Sequence, residues 1–377
     1  PFPCYTINMR IIVAAGYTES LANFRYDLLK ELVALGHEVH ACGAEPDSGK
    51  LADIGVEFHQ VPMDRQSTNP AADMGLIRRY GKLMRGIKPD LALCYTIKPN
   101  VYAAPEAKKA GARVFTMITG LGNTFVPGGA KRRLILPIVK KLYRRSAAVS
   151  DRVIFQNPDD REEFLREGII PAGIGGEKAA LVNGSGVNMR HYAPMPPSGK
   201  PVFFMAARLL REKGVVEYIE AARMVKAEYP NAEFRLAGGY ESAGFALGQS
   251  DLRPYIDDGS IEYLGELADV RPQYGDAMVY VLPSFREGTP RTVLEAMSCG
   301  RAVITSDAPG CRETVVPGRT GLLVPPGDPK KLADAIRYFI EHPDKAREMG
   351  LAGLEYCKGK YEVGAVNRQM LDIMGLI

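Results

Sequence analysis

The sequence predicts an α/β protein built from two successive doubly wound domains, each with a parallel sheet. Three observations lead there. The length of 377 residues exceeds what one ordinary core organises. Short apolar, β-branched runs alternate with segments of helical periodicity, the pattern of parallel βαβ units. Near the middle a stretch of chain breakers interrupts this alternation, which then restarts.

Arg10 to Ala15 reads as a buried strand, followed by Leu21, Phe24, Leu28, Leu32 and Leu35 at helical spacing until Gly36. Further strands are expected at Val39 to Gly43, Leu91 to Tyr95, Arg113 to Ile118 and Val153 to Gln156. The linker is placed in Tyr192 to Lys200, which contains Ala-Pro-Met-Pro-Pro-Ser-Gly-Lys. After it, strands are expected at Val202 to Ala206, Glu233 to Ala237, Ile261 to Leu264, Met278 to Leu282, Ala302 to Thr305 and Gly321 to Val324. Three helical stretches close the chain: Pro329 to Glu341, Asp344 to Cys357 and Tyr361 to Met374. The expected domains are therefore 9–192 and 201–357, with the helix in 358–377 packing back on the first. Two such domains would face a cleft lined by the carboxyl ends of their strands. Residues 1–8 precede the better start at Met9 and are left out of the fold reading.

Composition removes several classes. Hydrophobic residues make up 46% and charged residues 24%, ordinary globular values without low-complexity tracts. The six cysteines are scattered without a C-x-x-C pair and read as reduced cytosolic thiols. No run approaches a membrane span, and no signal peptide is visible. Up to residue 195 Lys and Arg outnumber Asp and Glu 26 to 19, and beyond it the acids lead 25 to 22, giving +7 and −3. The first half is expected to face the more anionic partner.

The run Phe285-Arg-Glu-Gly-Thr-Pro-Arg-Thr-Val-Leu-Glu-Ala-Met-Ser-Cys-Gly300 carries the strongest chemical signal. Thr289 reads as an N-cap with Pro290 at the first helical position, so a helix N-terminus suited to a diphosphate starts there. Glu287 precedes that start and Glu295 lies five residues past Pro290, about 7.5 Å along the axis. Carboxylates so placed can accept hydrogen bonds from the hydroxyls of a hexose and a ribose. In Ala206-Ala-Arg-Leu-Leu-Arg-Glu-Lys-Gly214, Arg208 and Lys213 put two cations in a strand-to-helix turn, able to stabilise a leaving diphosphate.

The Arg-x4-Lys-Gly turn and the Glu-Gly-x-Pro-x4-Glu-Ala run, in this order, resemble the retaining glycosyltransferases of family 4, which have the GT-B fold. Gly36-His-Glu-Val39, Gly184-Ser-Gly-Val-Asn188, Tyr263-Leu-Gly265 with Asp269, and Gly321-Leu-Leu-Val324 extend the resemblance over nearly the whole chain from Met9. Tyr95-Thr-Ile-Lys-Pro-Asn100 and Ile118-Thr-Gly-Leu-Gly122 look like bacterial enzymes that extend lipid-linked sugars, such as N-acetylgalactosaminyltransferases acting on undecaprenyl-diphosphate sugars. The resemblance implies that Arg208 and Lys213 hold the diphosphate of a UDP-sugar, Glu287 contacts the transferred sugar and Glu295 the ribose. Gly16, Gly265 and the amides near Gly288 and Thr289 would complete the donor site. The chain departs from the pattern in having one glycine at Ala15-Gly16-Tyr17, Asn188 in place of an Asp, and no histidine after the third or fourth strand, where Lys98 or Asn100 stands. No residue is assigned as general base. With no Asp-x-Asp motif, neither a metal nor a cofactor is expected at the transfer site.

Between Ala107 and Ser150 ten basic residues occur without an acid, and Leu134, Ile138 and Leu142 recur every fourth residue. Lys131, Arg132, Arg133, Lys140 and Lys141 thus read as a basic amphipathic helix for an anionic membrane and a lipid diphosphate, with Pro137 as its expected kink or early stop. No run of aromatic residues alternates with these charges, so nucleic acid is not an expected partner. The expected protein is a hexosyl- or N-acetylhexosaminyltransferase acting on a polyprenyl-diphosphate sugar in surface glycan or glycoprotein glycan assembly. It would be cytoplasmic and peripheral on the inner face of the cell membrane. The alternatives are a nucleotide-sugar 2-epimerase of the same architecture and a non-catalytic nucleotide-sugar-binding partner. A dehydrogenase is disfavoured because no G-x-G-x-x-G follows Arg10 to Ala15 or Val202 to Ala206.

Overall fold

The computed structural model describes residues 8–65, 67, 69–121, 130–171, 173, 175–196, 199–241 and 246–377, with side chains except at 130–134 and 175–176. The chain divides into two compact units, one running to Ser185 and including Val366–Ile377, the other Gly186–Ala365. The division precedes the Pro-rich stretch at 193–200, so Gly186 to Tyr192 group with the second unit.

The first unit holds a seven-stranded parallel sheet of β1 (Arg10–Ala14), β2 (Glu38–Gly43), β3 (Glu57–Gln60), β4 (Leu91–Tyr95), β5 (Arg113–Ile118), β6 (Arg152–Phe155) and β7 (Ala179–Leu181). Their spatial order is β3-β2-β1-β4-β5-β6-β7. Strands buried on both faces need apolar residues at every position, and β1 from Ile11 onward and β4 have them. Ile11 and Val13 join Leu28, Leu32, Leu93 and Met117 on one side, whereas Ile12 and Ala14 join Leu76, Tyr80 and Met84 on the other. The first of these clusters also takes Val366, Met370, Leu371 and Met374 from the helix Val363–Met374.

The second unit holds a six-stranded parallel sheet of β8 (Val202–Ala206), β9 (Glu233–Ala237), β10 (Glu262–Gly265), β11 (Val279–Leu282), β12 (Ala302–Ser306) and β13 (Gly321–Val324), in the order β10-β9-β8-β11-β12-β13. Phe203, Phe204, Tyr280, Val281, Val303 and Ile304 fill its core. Arg301 is fully buried there, its guanidinium donating to the carbonyls of Ala277, Met195 and Pro196. Burial lowers its pKa, and backbone oxygens rather than a carboxylate compensate the charge.

Three local readings need correction. β3 and β7 escaped the sequence pattern because one is the polar edge segment Glu-Phe-His-Gln and the other has three residues. The helix expected to begin at Pro290 begins at Arg291, with Pro290 itself as N-cap at φ −70°, ψ 109°, an extended conformation outside the helical region. The helix Ala130–Val149 runs through Pro137 without stopping.

Candidate active site

In each sheet the strand order reverses once, between β8 and β11 in the second unit and between β1 and β4 in the first. Outside the carboxyl ends of the strands at such a point, the flanking connections leave toward opposite sides and open a crevice. Of the candidate donor residues, Gly16, Arg208, Lys213, Glu287, Gly288 and Thr289 lie on connections that leave the strands at these two points.

At the β8/β11 point, the turn Arg211–Lys213 follows β8 and the segment 283–290 follows β11. Lys213 Nζ lies 2.6 Å from Glu287 Oε1, with the two side chains only 16% and 14% exposed. Ser284 Oγ donates to the same Glu287 oxygen at 2.8 Å and also approaches the Glu212 carbonyl at 3.1 Å. Phe285 N donates to the Glu212 carbonyl at 2.9 Å, so the two loops are stitched by backbone as well as charge. Behind them, Glu287 N donates to Pro309 O at 2.9 Å. Gly310, at φ +80°, packs so closely that a Cβ would fall 2.1 Å from the Glu287 carbonyl oxygen. Any side chain there would push Glu287 out of place.

Arg208 stands apart from this pair. It is 57% exposed, and its Nη1 lies 3.7 Å from Glu241 Oε1 beyond the end of β9. Gly265 ends β10 at φ +70°, its carbonyl accepting from Gly238 N at 2.8 Å. Gly288 is buried and Thr289 half-buried immediately before the helix Arg291–Ser298. Glu295, inside that helix, is 7% exposed. Tyr274 donates to its Oε2 at 3.0 Å, and Arg291 Nε lies 3.3 Å from its Oε1. Burial raises the Glu295 pKa, while Arg291, Tyr274 and Tyr192 oppose the rise. The structure therefore joins Lys213 to Glu287 and gives Glu295 separate partners in Tyr274, Tyr192 and Arg291.

At the β1/β4 point, Gly16 N donates to Thr96 Oγ1 at 3.0 Å, and a Cβ on Gly16 would lie 2.6 Å from that oxygen. Thr96 itself has φ +67°, a strained conformation for a β-branched residue. Lys98 Nζ pairs with Asp73 Oδ1 at 2.6 Å, and Tyr102 donates to Asp73 Oδ2 at 2.7 Å. Asn100, in the π-helical turn Pro99–Ala103, is 1% exposed and donates to Met117 O at 2.8 Å. It belongs to the core rather than to an open surface. At Asn188, Oδ1 accepts from the backbone of Arg190 and His191 at 3.1 and 3.2 Å, a turn contact an aspartate would make equally well.

The basic segment is less free than its composition implies. Lys140 pairs with Glu167 at 2.5 Å, and Arg144 donates to the carbonyls of Glu167 and Gly168. Lys108 pairs with Asp151 and Lys109 with Glu106. Ile138 is 61% exposed, whereas Tyr143 and Ala147 are buried and Leu142 packs against their cluster. Lys141 and Arg145 are exposed, with no hydrogen-bond or ion-pair partner among the described residues. The side chains of Lys131, Arg132 and Arg133 lie outside the described residues. No helix among those described is long and apolar enough to cross a membrane.

Sequence reasoning missed Ser284, Gly310, Tyr274, Thr96 and Asp73. Ser284 lies within three residues of Glu287, and Thr96 inside a run already quoted, so both were within reach. Asp73 and Tyr274 had no local signal.

Two family models match the chain: the "Glycosyl transferase 4-like domain" over residues 21–174 and "Glycosyl transferases group 1" over residues 200–342. The chain belongs to the family 4-type glycosyltransferases. It is 27% identical over 360 residues, 91% of its length and 92% of the relative's, to N,N'-diacetylbacillosaminyl-diphospho-undecaprenol alpha-1,3-N-acetylgalactosaminyltransferase of Campylobacter jejuni. It is 29% identical over 248 residues, 60% of its length and 61% of the relative's, to alpha-maltose-1-phosphate synthase of Mycolicibacterium smegmatis. Among solved structures, sucrose-phosphate synthase of Thermosynechococcus elongatus superposes with a TM-score of 0.81 at 20% identity, covering 97% of this chain and 98% of that one. Anabaena HepE in complex with UDP-glucose gives 0.77 at 18% identity, covering 98% and 100%. These likenesses establish the GT-B fold. This glycosyltransferase is an enzyme, which sets aside the non-catalytic alternative.

Proposed function

We propose that this glycosyltransferase moves a hexose or N-acetylhexosamine from a UDP-sugar to a polyprenyl-diphosphate-linked sugar, with retention of the anomeric configuration and without a metal at the transfer site. The observation that carries the donor half is the Lys213–Glu287–Ser284 group at the β8/β11 reversal, beside the start of the helix Arg291–Ser298. In this reading Lys213 and Arg208 hold the diphosphate, and the amides at Gly288 and Thr289 face it from the helix side. Glu287 exchanges its lysine partner for hydroxyls of the transferred sugar. Glu295 takes the ribose hydroxyls in exchange for a tyrosine partner, while Gly16 and Gly265 allow close backbone approach.

The acceptor half rests on the charge of +7 up to residue 195 and on the likeness over 91% of the chain to an enzyme named for a diphospho-undecaprenol sugar. Lys98, held by Asp73, and the helix Ala130–Val149, with Ile138, Lys141 and Arg145 outward, are the acceptor and membrane elements of this proposal. The place of work is then the inner face of the cell membrane. The test is transfer from a panel of UDP-sugars to synthetic polyprenyl-diphosphate sugars, with NMR of the product linkage. An inverted linkage overturns retention, and transfer to soluble sugars alone overturns the lipid acceptor.

A further inference from the structure

We propose that His40, Glu57 and His59 form a binding site for one zinc-type divalent transition-metal ion, a clasp that ties the edge strand β3 to β2. The register pairs His40 with Glu57 and Cys42 with His59. Residues two apart on a strand share a face, so Glu38 and His40 of β2 and Glu57 and His59 of β3 project to the same side of the sheet.

The geometry is that of a ligand triangle. His40 Nδ1 lies 3.0 Å from His59 Nε2 and 3.6 Å from Glu57 Oε2, and His59 Nε2 lies 3.6 Å from Glu57 Oε1. A tetrahedral zinc ion with bonds of about 2.0–2.1 Å needs ligand atoms roughly 3.3 Å apart. The two ring nitrogens stand 3.0 Å apart and each has a different Glu57 oxygen at 3.6 Å, so a small turn of that exposed carboxylate brings one oxygen onto the ion. The other ring nitrogen of His40, Nε2, lies 3.0 Å from Glu38 Oε1. That carboxylate fixes the tautomer with the proton on Nε2 and leaves the Nδ1 lone pair toward the triangle, as carboxylate-oriented metal ligands are arranged. Without metal, His59 Nε2–H donates to that lone pair. An ion takes its place when His59 moves its proton to Nδ1, with no net charge left on either ring.

The surroundings suit a cation. His40 is 4% exposed, while the triangle opens on a cavity of about 600 Å³ that leaves a fourth position for water. The nearby guanidiniums are engaged elsewhere, Arg10 with Ile87 O at 2.6 Å and Arg79 with Pro62 O at 2.9 Å. Glu57 and Glu38 together balance a dication. Two imidazoles select zinc, cobalt, nickel or copper over magnesium and calcium, which prefer oxygen. The clasp belongs to the first unit and takes no part in the sugar-transfer step proposed above.

The test uses the full chain, stripped with EDTA and titrated with cobalt(II), then with zinc as competitor. The expected result is one tetrahedral cobalt per chain, seen as visible d–d bands without a thiolate charge-transfer band. Zinc should displace the cobalt and raise the melting temperature. Glu38→Gln should weaken binding about ten- to hundredfold, and His59→Gln, at the half-buried edge position, by more, with transfer activity unchanged in both. A thiolate band, no saturable binding, or the same titration in His59→Gln would overturn the proposal.

Discussion

Replacing Lys213 by Met keeps most of the aliphatic stem and removes the charge that faces Glu287. At 2.6 Å and an effective dielectric near 20, the gross attraction is about 6 kcal/mol. Desolvation of two side chains that are 16% and 14% exposed offsets most of it. The Ser284 hydroxyl still bonds to Glu287 in the variant, so the expected loss of stability is only about 1–2 kcal/mol. Activity should fall much further. If Lys213 stabilises the departing diphosphate, its loss raises the barrier by about 3 kcal/mol, or a hundredfold or more in turnover. Glu287→Gln and Arg208→Ala should each lose activity on a similar scale. Urea unfolding of Lys213→Met, Glu287→Gln and the double variant gives the coupling energy, expected near 1 kcal/mol. Turnover is measured well below the melting temperature of each. Near wild-type turnover in the single variants would refute the donor assignment. A loss that vanished on cooling would reduce the pair to a strut between two loops.

Four further outcomes are expected. Transfer survives excess EDTA; activity restored only by added metal would contradict the metal-free transfer step. Gly16→Ala, which places a methyl 2.6 Å from Thr96 Oγ1, lowers turnover at least tenfold and stability by about 1–2 kcal/mol, read by parallel kinetics and thermal melting. Burial raises the Glu295 pKa, so the folded protein holds that proton more tightly than the unfolded chain; the group's contribution is present below the ordinary value of 4.5 and is lost as pH rises through the raised one. Glu295→Gln should therefore flatten the fall in urea-unfolding stability above that value, while raising the KM for donor. Replacing Lys141 and Arg145 together by Gln weakens sedimentation with anionic liposomes by about 2 kcal/mol at low salt, and unchanged pelleting would confine membrane contact to other residues.

The fold class was legible because strands such as Val202–Ala206 and Leu91–Tyr95 are uninterrupted apolar runs, which only a doubly covered parallel sheet requires. β3 was not, since an edge strand needs little apolar character and Glu57-Phe-His-Gln has one large hydrophobe. Lys213 and Glu287 were each visible in their motifs, yet their contact spans 74 residues and appears only when β8 and β11 become neighbours. The basic run was easy to count and easy to overread. Its partners Glu167 and Asp151 lie beyond the acid-free window, so composition within that window could not reveal them.

The placement of Val366, Met370, Leu371 and Met374 in the core beneath β1 and β4 bears on the order of events during synthesis. Domains commonly fold as they emerge, the N-terminal one first. Here the first unit exposes a strip of its sheet until residues 366–374 have left the ribosome. The second unit, made later, completes its core only with the helical residues from Leu332 to Tyr361, so it closes just ahead of the first. Released chains ending at Ala365 should accordingly yield a protease-resistant second unit attached to an N-terminal half that chaperones still bind.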